Sequence, residues 1–532
     1  MNGFDLVVRG GTVFDGSGRP GRRADIGLEG DRIAAVGDLA SVRGREELEA
    51  DDLAVCPGFI DVHSHSDFTL LVDPRGQSQV AQGVTTEVVG NCGHGCAPIA
   101  DPSLVIGNIY GYLPHVDMKW RSVDGYLRRL EEARPAVNVA TLVPNGNLRL
   151  AAVGLQDRPA RADELARMVR LLEEGLEQGA FGFSSGLEYP AERACSEEEL
   201  TELCRAVARR GGLYATHTRN RDVAAVEAIE EGIRVARGSG ARLQVSHIIP
   251  RRAGDDRSWQ EAIEAVDQAR ANGLDVAFDS HTRLHGITNL STALPPDVLD
   301  RPPRELAARL RDPTVRRELK RYPSLISSFG LGGWERVFLF SSAAHPEWVR
   351  RSLAELAPPG GDALDAVYDI LADEVEDIHS VMCICHSYEE DWLRTTFRHP
   401  LCMPGSDATA LCTDGPLAGS TFLGAYTWAA WYLRRLVREC GDLSLGEAVR
   451  RLTALPAERV GLRGRGHIEK GFWADLVVFD PASVAERGTL EDPNQLAVGV
   501  RHVVVNGQVT MKDGRFTGQR AGRVLRRDDG GE

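Results

Sequence analysis

Apolar and polar positions along this 532-residue chain follow two different rhythms. From residue 4 to 57, short β-type runs alternate with turns, as in Leu6-Val7-Val8-Arg9-Gly10-Gly11 and Arg32-Ile33-Ala34-Ala35-Val36-Gly37. The same rhythm returns near the carboxyl end in Ala474-Asp475-Leu476-Val477-Val478-Phe479. It continues in Val503-Val504-Val505-Asn506-Gly507, where Asn-Gly predicts a hairpin turn. The two ends therefore predict one small β domain assembled from both termini.

The middle of the chain alternates apolar β-type runs with amphipathic helical stretches. Leu165-Ala166-Arg167-Met168-Val169-Arg170-Leu171-Leu172 repeats its apolar positions at three and four, and Gly182-Phe183-Ser184-Ser185 follows as a strand end. A helix around 197–210, a strand Leu213–His217, a helix around 222–237 and a strand Leu243–His247 come next. Repeated βα units of this kind predict a parallel α/β barrel, in which the working residues sit at the carboxyl ends of the strands. From about 291 to 370 the rhythm breaks into prolines and charged helical pieces. Two readings stand for this insertion: a cap over the barrel mouth, or a solvated helical excursion.

Composition narrows the classes of function. A length of 532 residues with 42% hydrophobic content supports a large core plus a satellite domain. No apolar run approaches a membrane span, and Met1-Asn2-Gly3-Phe4-Asp5-Leu6-Val7-Val8 lacks the regions of a signal peptide, so a cytoplasmic protein without a membrane partner is expected. Ten cysteines, several in apolar or glycine-rich stretches, fit a reducing compartment better than a disulfide framework. A net charge of −15 with no basic patch argues against nucleic acid. The expected partner is a small-molecule substrate, and a homo-oligomer is compatible with the sequence.

The candidate chemistry gathers at the predicted strand ends. In Pro57-Gly58-Phe59-Ile60-Asp61-Val62-His63-Ser64-His65-Ser66-Asp67, two histidines lie two residues apart at the end of an apolar strand. Residues i and i+2 of a strand share a face, so both imidazoles can reach one metal ion. Cys92 follows the run Thr85-Thr86-Glu87-Val88-Val89, His217 and His247 each end a predicted strand, and Asp407 lies in Met403-Pro404-Gly405-Ser406-Asp407-Ala408. Imidazole, thiolate and carboxylate form a ligand set that suits zinc. Other patterns carry less. Cys92 and Cys96 lack the second pair of a zinc knuckle, and Cys383-Ile384-Cys385-His386 has the wrong spacing for haem attachment. Ser380-Val381-Met382 before it suggests that this segment is a barrel strand.

Taken together, these motifs resemble the amidohydrolase superfamily, and more narrowly the N-acyl-D-amino acid deacylases. The likeness runs from Gly10-Gly11-Thr12-Val13-Phe14-Asp15-Gly16 through the 57–67 motif and Gly90-Asn91-Cys92-Gly93. Gly182–Pro190, Thr216-His217-Thr218-Arg219, Ser246-His247 and Gly405-Ser406-Asp407 extend it to Gly466–Phe479. The resemblance implies a (β/α)8 TIM-like barrel at 58–461, with a β-sandwich domain built from 1–57 and 462–532. It implies a zinc-dependent amidohydrolase that cleaves an N-acyl C–N bond with metal-activated water, Asp407 acting as general base and then acid. One firm zinc is implied at Cys92, His217 and His247, and a second, weaker site at His63, His65 and Asp407. Cys92 matches the cysteine that replaces a carboxylated lysine in related enzymes. Only four lysines occur, and neither Lys119 nor Lys320 has a strand-like apolar context. Tyr189 is either a donor to the developing oxyanion or a packed aromatic.

The chain departs from the deacylases it resembles at the substrate carboxylate. They carry a lysine shortly after the histidine matched by His247 and a basic residue after the catalytic aspartate. Here these places hold Ile249 and Ala408-Thr409-Ala410-Leu411-Cys412-Thr413-Asp414, while Asp279-Ser280-His281-Thr282-Arg283-Leu284-His285-Gly286 replaces a Tyr-Pro-Tyr type strand end. Arg283, Arg251 or Arg219 can supply the missing charge. The alternative is a cyclic amide or imide hydrolase, or a deaminase, whose substrate lacks a free carboxylate.

Overall fold

The computed structural model describes residues 3–106, 117–251 and 257–527. At its centre lies a sheet of eight parallel strands whose spatial order follows the chain. They are β1 (Phe59–Asp61), β2 (Val84–Val89), β3 (Asn138–Pro144), β4 (Gly182–Gly186), β5 (Leu213–His217), β6 (Arg242–Val245), β7 (Val276–His281) and β8 (Cys402–Gly405). The ring closes just past β1 and β8. Ser64 and Ala408 form a parallel bridge there, the Asp407 N–H donates to the His63 carbonyl at 2.8 Å, and the His65 N–H donates to the Ala408 carbonyl at 2.8 Å. The result is a (β/α)8 barrel.

Strands β1 to β5 are buried at every position. Such strands carry near-continuous apolar runs because helices cover one face and side chains fill the other. Ile60, Val88, Leu142, Leu213, Ala277 and Met403 fill the interior. Outside, the helix Ala162–Glu177 buries Met168, Leu172, Gly175 and Leu176, spaced by three and four as read from the sequence. The helix Glu197–Arg209 starts where Ser196 and Glu199 exchange hydrogen bonds, which satisfies two free N–H groups of its first turn. The helix expected around 222–237 runs from Ala225 to Ser239. Ahead of it, the Asn220 carboxamide accepts the N–H groups of Asp222 and Ala224.

Both termini join one nine-stranded sheet. Ala54–Pro57 pairs with Phe4–Val13 on one side and with Leu476–Phe479 on the other, which ties the chain ends together directly beneath β1. Val500–Val505 and Gln508–Lys512 form the hairpin, with Asn506 (φ 47°) and Gly507 (φ 79°) both in the left-handed region that a tight two-residue turn requires.

Between β7 and β8 the chain makes a long excursion with a sheet of its own. His285–Asn289 and Val337–Ser341 flank Met382–His386, all antiparallel. The segment 383–386, expected as a barrel strand, is therefore the central strand of this small sheet. A short apolar run looks the same in either setting, and pairing partners distant in sequence decide between them. The excursion has its own core, including Leu290, Ile326, Phe329, Val337 and Leu339, and this core is continuous with Cys92 and Tyr189 of the barrel. Excursion residues such as Asn289, Pro296 and Met382 line a cavity of about 750 Å³ together with His94, Tyr189 and Thr409 of the barrel mouth. Among the described residues, no helix is long and apolar enough to cross a membrane.

Candidate metal centre

The turns that leave β1, β2, β6 and β8 bring His63, Cys92, His247 and Asp407 together at the carboxyl-terminal mouth of the barrel. One ligand atom from each lies within 4.8 Å of the other three. His63 Nε2 stands 3.1 Å from Cys92 Sγ, and Cys92 Sγ stands 3.4 Å from His247 Nε2. Asp407 Oδ1 is 3.5 Å from His63 Nε2 and 3.2 Å from His65 Nε2. These separations are those of atoms sharing a centre at about 2.0–2.3 Å, and the donors are those zinc takes. The residues present fit a metal ion of that kind.

His217 is not one of this group of four, but it hydrogen-bonds Cys92. Its Nε2 lies 2.8 Å from Glu188 Oε2, and its ring meets that of His247 edge-on at 4.6 Å. The group of four thus joins Cys92 and His247 to His63 and Asp407, which the resemblance divides between two sites, and leaves His217 beside it.

The backbone at this cluster is unusual. Cys92 (φ 53°), His247 (φ 34°) and Asp407 (φ 44°) all adopt left-handed conformations. For a residue with a Cβ this costs energy and persists only where the surroundings impose it. Close approach adds a further constraint, because a Cβ on Gly186 would lie 2.0 Å from the Cys92 carbonyl oxygen. Only glycine lets β4 pass the cysteine turn.

A layer of acids holds the imidazoles. Asp279 Oδ1 lies 2.9 Å from His63 Nδ1 and accepts the His247 N–H at 2.8 Å, while Oδ2 accepts Gln244 Nε2 at 2.9 Å. Fixing one ring nitrogen this way orients the other toward the centre. Asp61 Oδ1 accepts the N–H groups of His63 and Ser406, so one carboxylate on β1 also sets the turn after β8. Asp279 does not stand out in sequence, since 216 residues separate it from His63.

Electrostatics follow from this packing. Burial works to raise the Cys92 thiol, but the field of His63 and the hydrogen bonds of His217 and His247 outweigh it and hold it well below the ordinary thiol range. Burial likewise works to raise the Asp407 carboxyl, and the Arg283 guanidinium with the His65 hydrogen bond holds it well below the usual range instead. Burial, then the nearby Arg221 charge, keeps His247 down at about 4. At neutral pH the cluster therefore presents a thiolate, a carboxylate and a neutral His247.

The arginines expected to meet the substrate are already engaged. Arg251 makes two bonds to Glu188, at 2.9 and 2.5 Å, and two to Asp222, at 3.0 and 2.6 Å. Arg283 bonds Asp407 Oδ2 at 2.5 Å and the Ser406 carbonyl at 2.6 Å. Arg219 pairs with Glu231. Tyr189, 7% exposed, packs its ring against His94 at 4.1 Å and His217 at 4.8 Å, and it lines the large cavity.

A closed parallel barrel with strand-end histidines, a thiolate and an aspartate converging at its mouth defines a metal-centre barrel of the hydrolase type. The chain belongs to the amidohydrolase family, whose model matches residues 46–322 and 391–511. It is 35% identical to the N-acyl-D-glutamate deacylase of Alcaligenes xylosoxydans xylosoxydans over 99% of this chain and 97% of that one. Two solved structures are similar over nearly the whole length. One is a D-aminoacylase with a binuclear metal centre, described by one-metal activation and second-metal attenuation (33% identity, TM-score 0.82, 98% of this chain and 100% of that one). The other is the N-acyl-D-glutamate deacylase of Bordetella bronchiseptica complexed with zinc and a phosphonate mimic of the tetrahedral intermediate (32% identity, TM-score 0.80, 99% and 100%).

Proposed function

We propose that this protein is a zinc-dependent deacylase that hydrolyses the amide bond of N-acyl-D-amino acids. The observation that carries the reading is the His63, Cys92, His247 and Asp407 cluster at the barrel mouth, in a chain whose full-length relatives bear deacylase names. Zinc held by these residues, with His217 and His65 alongside, supplies polarisation of the substrate carbonyl and activation of water near neutral pH.

The remaining steps belong to the chain's own groups. Asp407, held ionised by Arg283, starts as a proton acceptor, takes the proton of the attacking water on a carboxylate oxygen and delivers it to the departing amide nitrogen. Arg283 fixes the orientation of that carboxylate through Oδ2, which leaves Oδ1 toward the histidines. Tyr189, buried between the rings of His94 and His217, stands where a phenol can donate to the developing oxyanion.

Purified protein should contain zinc by elemental analysis and release free amine from N-acetyl-D-leucine faster than from its L-enantiomer. Equal rates on both enantiomers, or no amine from either with zinc present, would count against the deacylase reading.

A further inference from the structure

Arg219, Arg251 and Arg283, the arginines expected to meet a substrate carboxylate, are each paired with acids. Arg221 differs. It is 7% exposed, and no ion pair joins it to a carboxylate among the described residues. Its bonds run from Nη2 to the backbone carbonyls of His247 (2.8 Å) and Ile249 (3.2 Å). Those carbonyls hold the guanidinium still without neutralising it. Its backbone is fixed as well, since the Arg251 N–H donates to the Arg221 carbonyl at 2.5 Å. A cation this deeply buried without a counter-ion is expensive to keep, and the expense is relieved when an anion arrives.

Position agrees with chemistry. Arg221 lines the narrow cleft that His217, His247, His281, Tyr388 and Asp407 also line, with space of about 20 Å³ between them. In an N-acyl amino acid the carboxylate carbon is about 2.5 Å from the amide nitrogen, so the cation that serves it must stand immediately beside the reacting centre. Arg221 bonds the backbone of His247 itself. It also bonds the carbonyl of Ile249, two residues further on.

We infer that Arg221 is the receptor for the α-carboxylate of the substrate and makes the enzyme selective for free N-acyl amino acids over their neutral carboxamides. This rests on the deacylase reading for the identity of the substrate. A guanidinium offers a carboxylate charge-assisted bonds with directional geometry, about twice as strong as neutral ones. The unused Nε and Nη1 donors of Arg221 provide them.

The test compares N-acetyl-D-leucine with N-acetyl-D-leucinamide on the zinc-loaded wild type, Arg221→Gln, and Arg221→Gln combined with Ile249→Lys. Wild type should favour the acid. Arg221→Gln should lower kcat/KM on the acid about tenfold or more, chiefly through KM, and change the amide less than about threefold, the loss of charge-assisted bonds being confined to the acid. The added lysine should restore part of the preference. Equal losses on both substrates, or an undiminished preference for the acid in Arg221→Gln, would overturn the assignment.

A calorimetric titration with N-methylsulfonyl-D-leucine and its carboxamide, which resist hydrolysis, separates this inference from the deacylase reading. Were neither acetyl substrate cleaved, the deacylase reading would fall. The Arg221 assignment would then stand or fall on whether the tighter binding of the sulfonyl acid disappears in Arg221→Gln.

Discussion

Cys92→Ala removes the bound zinc and lowers kcat/KM by more than about 10²-fold. The lower bound is set by the surrounding shell, since losing a group that merely orients a ligand already costs about 10–100-fold in metal affinity or activity. Cys92 is the ligand itself. Its sulfur lies between His63 at 3.1 Å and His247 at 3.4 Å, it is 1% exposed, and its thiol is held well below the ordinary range. Alanine takes away a negative charge that no neighbouring water can replace in so closed a site. It also leaves Asp407 as the one anionic member of that group of four to balance a divalent cation. Elemental analysis after dialysis checks the first half of the result, and kinetics with added zinc check the second. Full zinc occupancy in the alanine variant would mean that the cluster is a hydrogen-bonded polar network and that the metal lies elsewhere.

Asp407→Asn keeps most of the zinc and lowers kcat by about 10²-fold or more, the range lost when a positioned acid–base group is removed. The substitution is well suited to the site. Asn tolerates the left-handed backbone at this position (φ 44°), and it keeps the size and shape of the aspartate. What it cannot do is take a proton from water and return it to nitrogen. The loss should therefore appear in kcat with KM changed little, and circular dichroism should match the parent. Near wild-type turnover in the asparagine variant would move the proton transfer to another group.

Much of the framework is legible in the sequence because it depends on local periodicity. Apolar runs placed β2, β4 and β5, a three-and-four pattern placed the helix Ala162–Glu177, and Asn506-Gly507 placed a hairpin. The strand expected to end at His247 stops at Val245, and the histidine sits two residues on, in a turn whose left-handed φ no hydropathy pattern announces. What stays illegible is long-range. Glu188 and Asp222 neutralise Arg251 from two other strand exits, and Asp407 holds Arg283 from across the mouth. From sequence alone these arginines look as available as Arg221. Only the folded chain shows which guanidinium lacks a partner acid among the described residues, because that is decided by residues 29 to 124 positions away.

The shared core of the excursion and the barrel mouth couples the centre to heat and proteases. Cys92 and Tyr189 pack in one apolar cluster with Leu290, Ile326 and Phe329, so the excursion cannot open without loosening the cysteine turn. A ligand that binds only the folded state stabilises it by about 2.7 kcal/mol at a hundred times its dissociation constant. That stabilisation reaches every element that must unfold for the ligand to leave. Zinc should thus protect peptide bonds of the excursion far in sequence from any ligand, and a chelator should expose them to trypsin at the arginines of the helix Pro303–Arg311 before the barrel itself melts.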